Sequence, residues 1–330
     1  MKVLQRNGTR EHDRTGLMAA NSTPTSRGVY RFAVATASFT VLLLMAGALV
    51  TNNDAGDSVP DWPLAYHRLI PPFVGGIRFE YSHRVIAGIV SIMTLILAVW
   101  ITAKDRRPLA KRLGWIAVAL VLAQAILGGI RVLEGDPIVS ATAHATLAQI
   151  FFITLVGIAL YVSPWWQSDL PQLEDSGSPR ATTLGWWTTF VILGQILLGA
   201  AFRHGALGIV PHLIGAGAVA AMVIWTGLTV KKRFREVRDL RRRVMFLHMF
   251  FGIQILLGFA AWWAMTSGIA AVQPTFLYVT LTAAHVVGGA LTIAASILLA
   301  LTCQRLTRPA GSAAVARNAT SGAESVRAAQ

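Results

Sequence analysis

From residue 31 onward the chain is a succession of long apolar runs separated by short polar or charged segments. Eight runs, near 31–51, 80–103, 113–133, 141–163, 184–203, 208–230, 244–266 and 277–303, each supply about the 20 apolar residues that a helix needs to cross a bilayer core. The pattern predicts an all-α polytopic membrane protein with eight transmembrane helices. The first thirty residues are polar and basic, without the short apolar core and small-residue cleavage site of a signal peptide, so the first span is expected to be an uncleaved anchor. The tails, 1–30 and 304–330, are expected to be disordered and to carry no chemistry.

Composition agrees with the pattern. Of 330 residues, 54% are hydrophobic and only 13% charged, far more apolar surface than one soluble core needs. The net charge of +14 raises the question of nucleic acid, which the distribution of charge answers. Apart from Arg68, Arg78, Arg84, Arg131 and Arg203, all 29 Lys and Arg lie in the tails, at their junctions with the spans, or in the loops after spans two, four and six. This is the positive-inside pattern: a multi-pass protein of the plasma (inner) membrane with both termini cytoplasmic, and no nucleic-acid partner. The single cysteine, Cys303, excludes a disulfide within the chain and a thiolate metal site.

The spans repeat. "QAILGGIRVL" (124–133) matches "QILLGFAAWW" (254–263), "TAHATLAQI" (142–150) resembles "TAAHVVGGAL" (282–291), and "EYSHRVIAGIV" (80–90) aligns with "IVPHLIGAGAV" (209–219). Span one's "MAGALV" has a counterpart in span five's "LLGAAF". The expected architecture is therefore two tandem pseudo-symmetric four-helix bundles, 31–163 and 184–303, joined by a cytoplasmic linker over 164–183.

Four of the eight histidines recur at matching places: His83 and His144 in the first unit, His212 and His285 in the second. Each lies near the start of an even-numbered span, which puts all four in one layer near the outer surface, two per bundle. Paired imidazoles on two helices of a bundle suit the iron of a b-type heme, and the small residues after them (Ala87, Gly88, Gly215, Gly217, Gly288, Gly289) leave room for a flat macrocycle. Two other readings compete. Each histidine is then a hydrogen-bonded packing residue, or the metal is copper, which asks for three convergent histidines or a Cys/Met set where this chain has separated pairs. His12, His67, His204 and His248 receive no ligand role.

Glu80 precedes His83 by three residues and shares its helix face, whereas the second unit has Ile209 at that place. Only one of the two sites thus carries an acid–base group, placed at the membrane edge to carry protons. The alternative is an ion pair from Glu80 to Arg84, one turn on. Arg84 and Arg131 are otherwise candidates for binding heme propionates.

These residues resemble the heme A synthase family over roughly 30–303: the Glu-x-x-His-Arg of "EYSHR", the preceding "DAGDSVPDWPLAYHRLIPP", "GALVT", "QAILGGIRVL", and the later His212 and His285. The resemblance implies a membrane oxidoreductase that converts heme O to heme A for terminal oxidase assembly, oxidising a ring methyl to a formyl group by successive hydroxylations. It implies that His83 and His144 bracket the substrate heme with Glu80 as the catalytic carboxylate, and that His212 and His285 hold a permanent heme b. The implied partners are the lipid bilayer, a heme O synthase, a terminal oxidase subunit and an electron donor such as quinol. Many bacterial members carry a cysteine pair in the loop between spans one and two, where this sequence has Val59 and Ala65, so a thiol relay there is ruled out. The rival from another class is a diheme b-type electron carrier reacting with quinol. It accounts for four histidines but gives no reason for Glu80 or the "PDWP" loop.

Overall fold

The computed structural model describes residues 26–135, 137–269 and 273–311. Among them are eight helices long and apolar enough to cross a membrane: α1 (Arg27–Asn52), α2 (Ile77–Lys104), α3 (Pro108–Leu133), α4 (Ile138–Tyr161), α5 (Ala181–Arg203), α6 (Ile209–Arg233), α7 (Arg238–Thr266) and α8 (Phe276–Leu306). The chain is an all-α multi-pass membrane protein.

The helices outrun the apolar stretches because backbone hydrogen bonding continues through the polar turns at each end. Ser26 caps α1, its hydroxyl accepting from Val29 N at 3.3 Å, and Thr275 caps α8 in the same way. The starts and ends expected at 31 and 303 therefore move to Arg27 and Leu306. Beyond Leu306 the chain is ordered for a further stretch: β2 (Thr307–Pro309) pairs in parallel with β1 (Leu173–Asp175) of the 164–183 segment. Residues 1–25 and 312–330, the greater part of both expected tails, lie outside the described residues.

Helices α1 to α4 pack in a closed ring, each on the next and α4 back on α1; α5 to α8 do the same. The rings meet where α8 packs on α1 and α4, and α4 on α5. Each ring has its own apolar core, one around Leu97, Ile101, Leu155 and Ile158, the other around Leu240, Leu247, Ile293 and Leu299. A smaller seam of Leu44, Phe152, Ala290 and Ala294 joins them. Helix α8 is the central element: 67% of its apolar window is buried, against 17–39% in the other seven. Its small residues, as in "TAAHVVGGALTIAAS", let three neighbours and α7 approach closely. Hydroxyl pairs satisfy polar groups inside the second ring, Thr188 with Thr226 at 2.7 Å and Thr189 with Ser296 at 2.8 Å.

Candidate functional site

All four repeat histidines stand within the first three turns of their helices, His83 on α2, His144 on α4, His212 on α6 and His285 on α8. Each ring rests on a glycine of the helix before it. A Cβ at Gly47 would lie 3.1 Å from His83 Cε1, at Gly128 3.5 Å from His144, at Gly199 2.8 Å from His212, and at Gly258 3.1 Å from His285. At Gly47, Gly199 and Gly258 an added Cβ would crowd the imidazole, whereas at Gly128 it would make ordinary contact. The rings also lie against the backbone one turn earlier, at Leu43, Gln124, Gln195 and Gln254 respectively.

This packing buries Nδ1. In His83, His144 and His285 that atom is buried without a hydrogen-bond partner, while His212 Nδ1 lies 3.1 Å from the Gln195 amide nitrogen. With Nδ1 turned into the helix pair, Nε2 is the nitrogen left to face a ligand, although in His285 it also lies 3.5 Å from the Gln254 amide nitrogen. The His212 and His285 ring centroids are 6.3 Å apart with planes at 84°. Two imidazoles sharing one metal, at about 2.0–2.1 Å per nitrogen, place their centres roughly that far apart. His83 and His144 lie within electrostatic reach of each other and of Arg131, in the last turn of α3. Among the described residues no three His, Cys, Asp or Glu side chains gather at one point. Donors in pairs, with glycine-backed rings and orphaned Nδ1 atoms, fit the axial ligation of heme iron, where the porphyrin supplies the other four ligands.

The two pairs differ in what surrounds them. Glu80 is buried, only 4% exposed, and accepts from Val59 N at 2.9 Å and from Arg84 Nη2 at 2.5 Å. The ion pair weighed against a propionate role for Arg84 is thus formed. Arg84 also holds the loop over 53–76, donating to the carbonyls of Asp61 and Leu64 at 2.7 Å and of Val59 at 3.5 Å. Val59 and Ala65 are 0% and 2% exposed, and an amide and a guanidinium do the fastening of the loop. Trp62 of the same loop lies over Gly129, beside the glycine that backs His144. The loop therefore roofs the first site, with the Trp62 ring at one side and the Glu80–Arg84 pair at the other. In the second unit Ile209 starts α6 where Glu80 stands in the first.

Asp61 shapes the turn of this roof. Its carboxylate accepts from Tyr66 N at 2.6 Å and His67 N at 2.7 Å, holding two successive residues at φ +54° and +56°. The amide of His67, with that of Tyr66, keeps the Asp61 carboxyl below the ordinary carboxylate value. His67 itself is exposed, His204 caps the end of α5, and His248 bonds Val244 O of its own helix at 2.8 Å, away from the four-histidine layer.

Some small residues have a different use from the one expected. A Cβ on Gly215 would strike the amide oxygen of Gln195, and on Gly288 that of Gln254, so these glycines make room for glutamines. Gly88 and Gly217 do face open space. The glutamines and the four backing glycines were not singled out as site residues, although Gln-x-x-x-Gly is visible in the repeats "QAILG" and "QILLG".

The fold and site define a class, that of multi-pass helical membrane proteins with glycine-backed histidines near the starts of four helices. Comparison narrows it: the COX15-CtaA family model, described as "Cytochrome oxidase assembly protein", matches residues 10–156 and 77–213, and the chain belongs to that family. Among curated relatives, the Heme A synthase of Lysinibacillus sphaericus is 34% identical over 134 residues, 40% of this chain and 44% of the relative. That of Halalkalibacterium halodurans is 34% identical over 140 residues, 41% and 45%. A longer match, 24% identical over 243 residues, covers 64% of this chain and 78% of the Heme A synthase of Symbiobacterium thermophilum. The chain thus spans less than half the length of the first two relatives in alignment.

Proposed function

We propose that this protein makes heme A from heme O, oxidising a ring methyl of the porphyrin to a formyl group by successive hydroxylations, for use in a terminal oxidase. The observation that carries the proposal is the asymmetry between the histidine pairs: one has a buried carboxylate under a folded roof, the other has Ile209. A site that only relays electrons has no use for the first arrangement.

In this reading His83 and His144 take the substrate heme, and His212 and His285 hold a resident heme b. Bound heme supplies the oxidising power that side chains lack. The chain's own residues do the rest. With dioxygen as co-substrate, each hydroxylation takes two electrons from the donor and two protons and releases one water, and Glu80, on the face of α2 that carries His83, delivers the protons. Arg84 and the Val59 amide keep that carboxylate aimed and tie it to the loop. Arg131 is the cation for a propionate, being close to both histidines of the pair. Trp62 and the loop backbone keep bulk water from the reacting edge.

The two helix rings are read as tandem units with the same role-bearing positions, supported by the recurrence of the glycine–histidine contact in all four helix pairs. The basic loops argue for cytoplasmic termini in the plasma (inner) membrane, with the four histidines toward the opposite side. A farnesylated heme enters sideways from lipid, and a quinol-type donor supplies electrons.

The test is expression in a host that makes heme O and no heme A, followed by extraction and mass analysis of the hemes. A formyl- or hydroxymethyl-bearing farnesylated heme is expected, and Glu80→Gln should reduce it by about 100-fold, within the range of an acid–base group, while heme b is retained. Recovery of heme b alone, at two per chain, would instead establish the electron carrier.

A further inference from the structure

Two of the four histidines are stapled to the neighbouring helix by a glutamine, a third has a glutamine against its ring, and one has none. Gln124 Nε2 donates to the main-chain oxygen of His144 at 3.0 Å. Gln195 Nε2 donates to the main-chain oxygen of His212 at 2.8 Å and lies 3.1 Å from the ring. Gln254 differs: its amide nitrogen is 3.5 Å from His285 Nε2, the nitrogen an iron would take, and its oxygen packs on Gly288. Every glutamine stands four residues before the glycine that backs the ring, so glutamine, glycine and histidine form one repeated unit. At the fourth place, four residues before Gly47, stands Leu43, which has no donor to offer.

A second observation points the same way. His144 stands on α4, which packs on α1, α3, α5 and α8, whereas His83 stands on α2, which among the helices packs on α1 and α3 at the edge of its ring and is otherwise tied to the 53–76 loop. His212 is also on an edge helix, α6, but there the staple is shortest and reaches the imidazole as well. His83 is therefore the one histidine with neither a staple nor a central helix behind it.

We propose that Gln124 and Gln195 are positioning residues that hold His144 and His212 in place toward a heme, and that His83, opposite Leu43, is the histidine that would give up its place. Loss of His83 would open the α2 side of the substrate site, the side that carries Glu80. Loss of His144 would open the α4 side instead. The difference between leucine and glutamine at one position thus decides which face of the substrate site becomes reactive. This inference rests on the heme assignment made above.

Carbon monoxide tests it without reference to turnover, since it binds a reduced heme only where an axial position opens. With both hemes loaded, the wild-type protein should bind carbon monoxide at the first site and leave heme b unreacted. Leu43→Gln, which installs the missing staple, should slow that binding about three- to tenfold, the effect of one added hydrogen bond, with the heme b spectrum unchanged as proof of folding. His83→Ala should keep the substrate heme as a five-coordinate high-spin species, and His144→Ala should lose it. Two results would each overturn the proposal: a carbon monoxide rate unaltered by Leu43→Gln with heme b intact, or retention of heme in His144→Ala with its loss from His83→Ala. Wild-type protein with heme in the second site only would refute the heme assignment itself, and this inference with it.

Discussion

A glycine under an imidazole is a steric statement that can be read position by position. At Gly199 the added Cβ would sit 2.8 Å from His212 Cε1, inside any tolerable contact, whereas at Gly128 the equivalent distance to His144 is an ordinary 3.5 Å. Gly199→Ala should therefore displace His212 and reduce heme b occupancy several-fold, and Gly128→Ala should leave heme binding near wild type. Heme content per chain from pyridine hemochrome spectra distinguishes the two. Gly258→Ala, at 3.1 Å from His285, should fall between them.

The element on which the first site depends is the 53–76 loop, whose fold hangs on two carboxylates. Glu80 takes the Val59 amide, and Asp61 takes those of Tyr66 and His67. The His67 and Tyr66 amides lower the pKa of Asp61, so the folded loop favours its ionised form. That stabilisation is present above the ordinary carboxylate value, near pH 4, and is lost as the pH falls through the lower folded value. The Tyr66 and His67 amides should be protected from hydrogen exchange at pH 5–7 and lose protection below about pH 4. Asp61→Asn should show the unprotected behaviour already at neutral pH, with the hemes of the second site undisturbed.

At the scale of the whole molecule, the ends of the second ring are held by a clasp far from the histidines. Buried Asp175 accepts from Ala181 N at 2.7 Å, Gly177 N at 3.0 Å and Arg233 Nη1 at 3.3 Å, while its strand pairs with Thr307–Pro309. Asp175→Ala would leave those amides unpaired and Arg233, itself partly exposed, with Pro179 O but without its carboxylate. A loss of about 2 kcal/mol is expected, read as a lower unfolding temperature in detergent with an unchanged heme spectrum. A second tie joins the two rings at the other end, where Arg203 of α5 donates to Thr51 O at 3.0 Å and Asn52 Oδ1 at 2.8 Å of α1.

The number of spans and the place of the four histidines near the starts of their helices were legible in the sequence because both are local quantities. A bilayer demands a run of a certain length, and position along a helix advances about 1.5 Å per residue. That Ile209 precedes His212 where Glu80 precedes His83 was also plain in the sequence. Which residues meet across helices was not. Glu80 and Val59 are 21 residues apart, Gln124 and His144 20, Gln254 and His285 31. Such meetings depend on how each helix is rotated about its axis, and helices apolar on nearly every side carry little record of that rotation. The partners of Arg84, the use of Gly215 and Gly288 to seat glutamines, and the central place of α8 were thus decided by packing alone. The sequence determined that four histidines stand near the starts of four helices; the tertiary structure decided what stands behind each of them, because only close contact between helices brings a donor, or a leucine, to a particular ring.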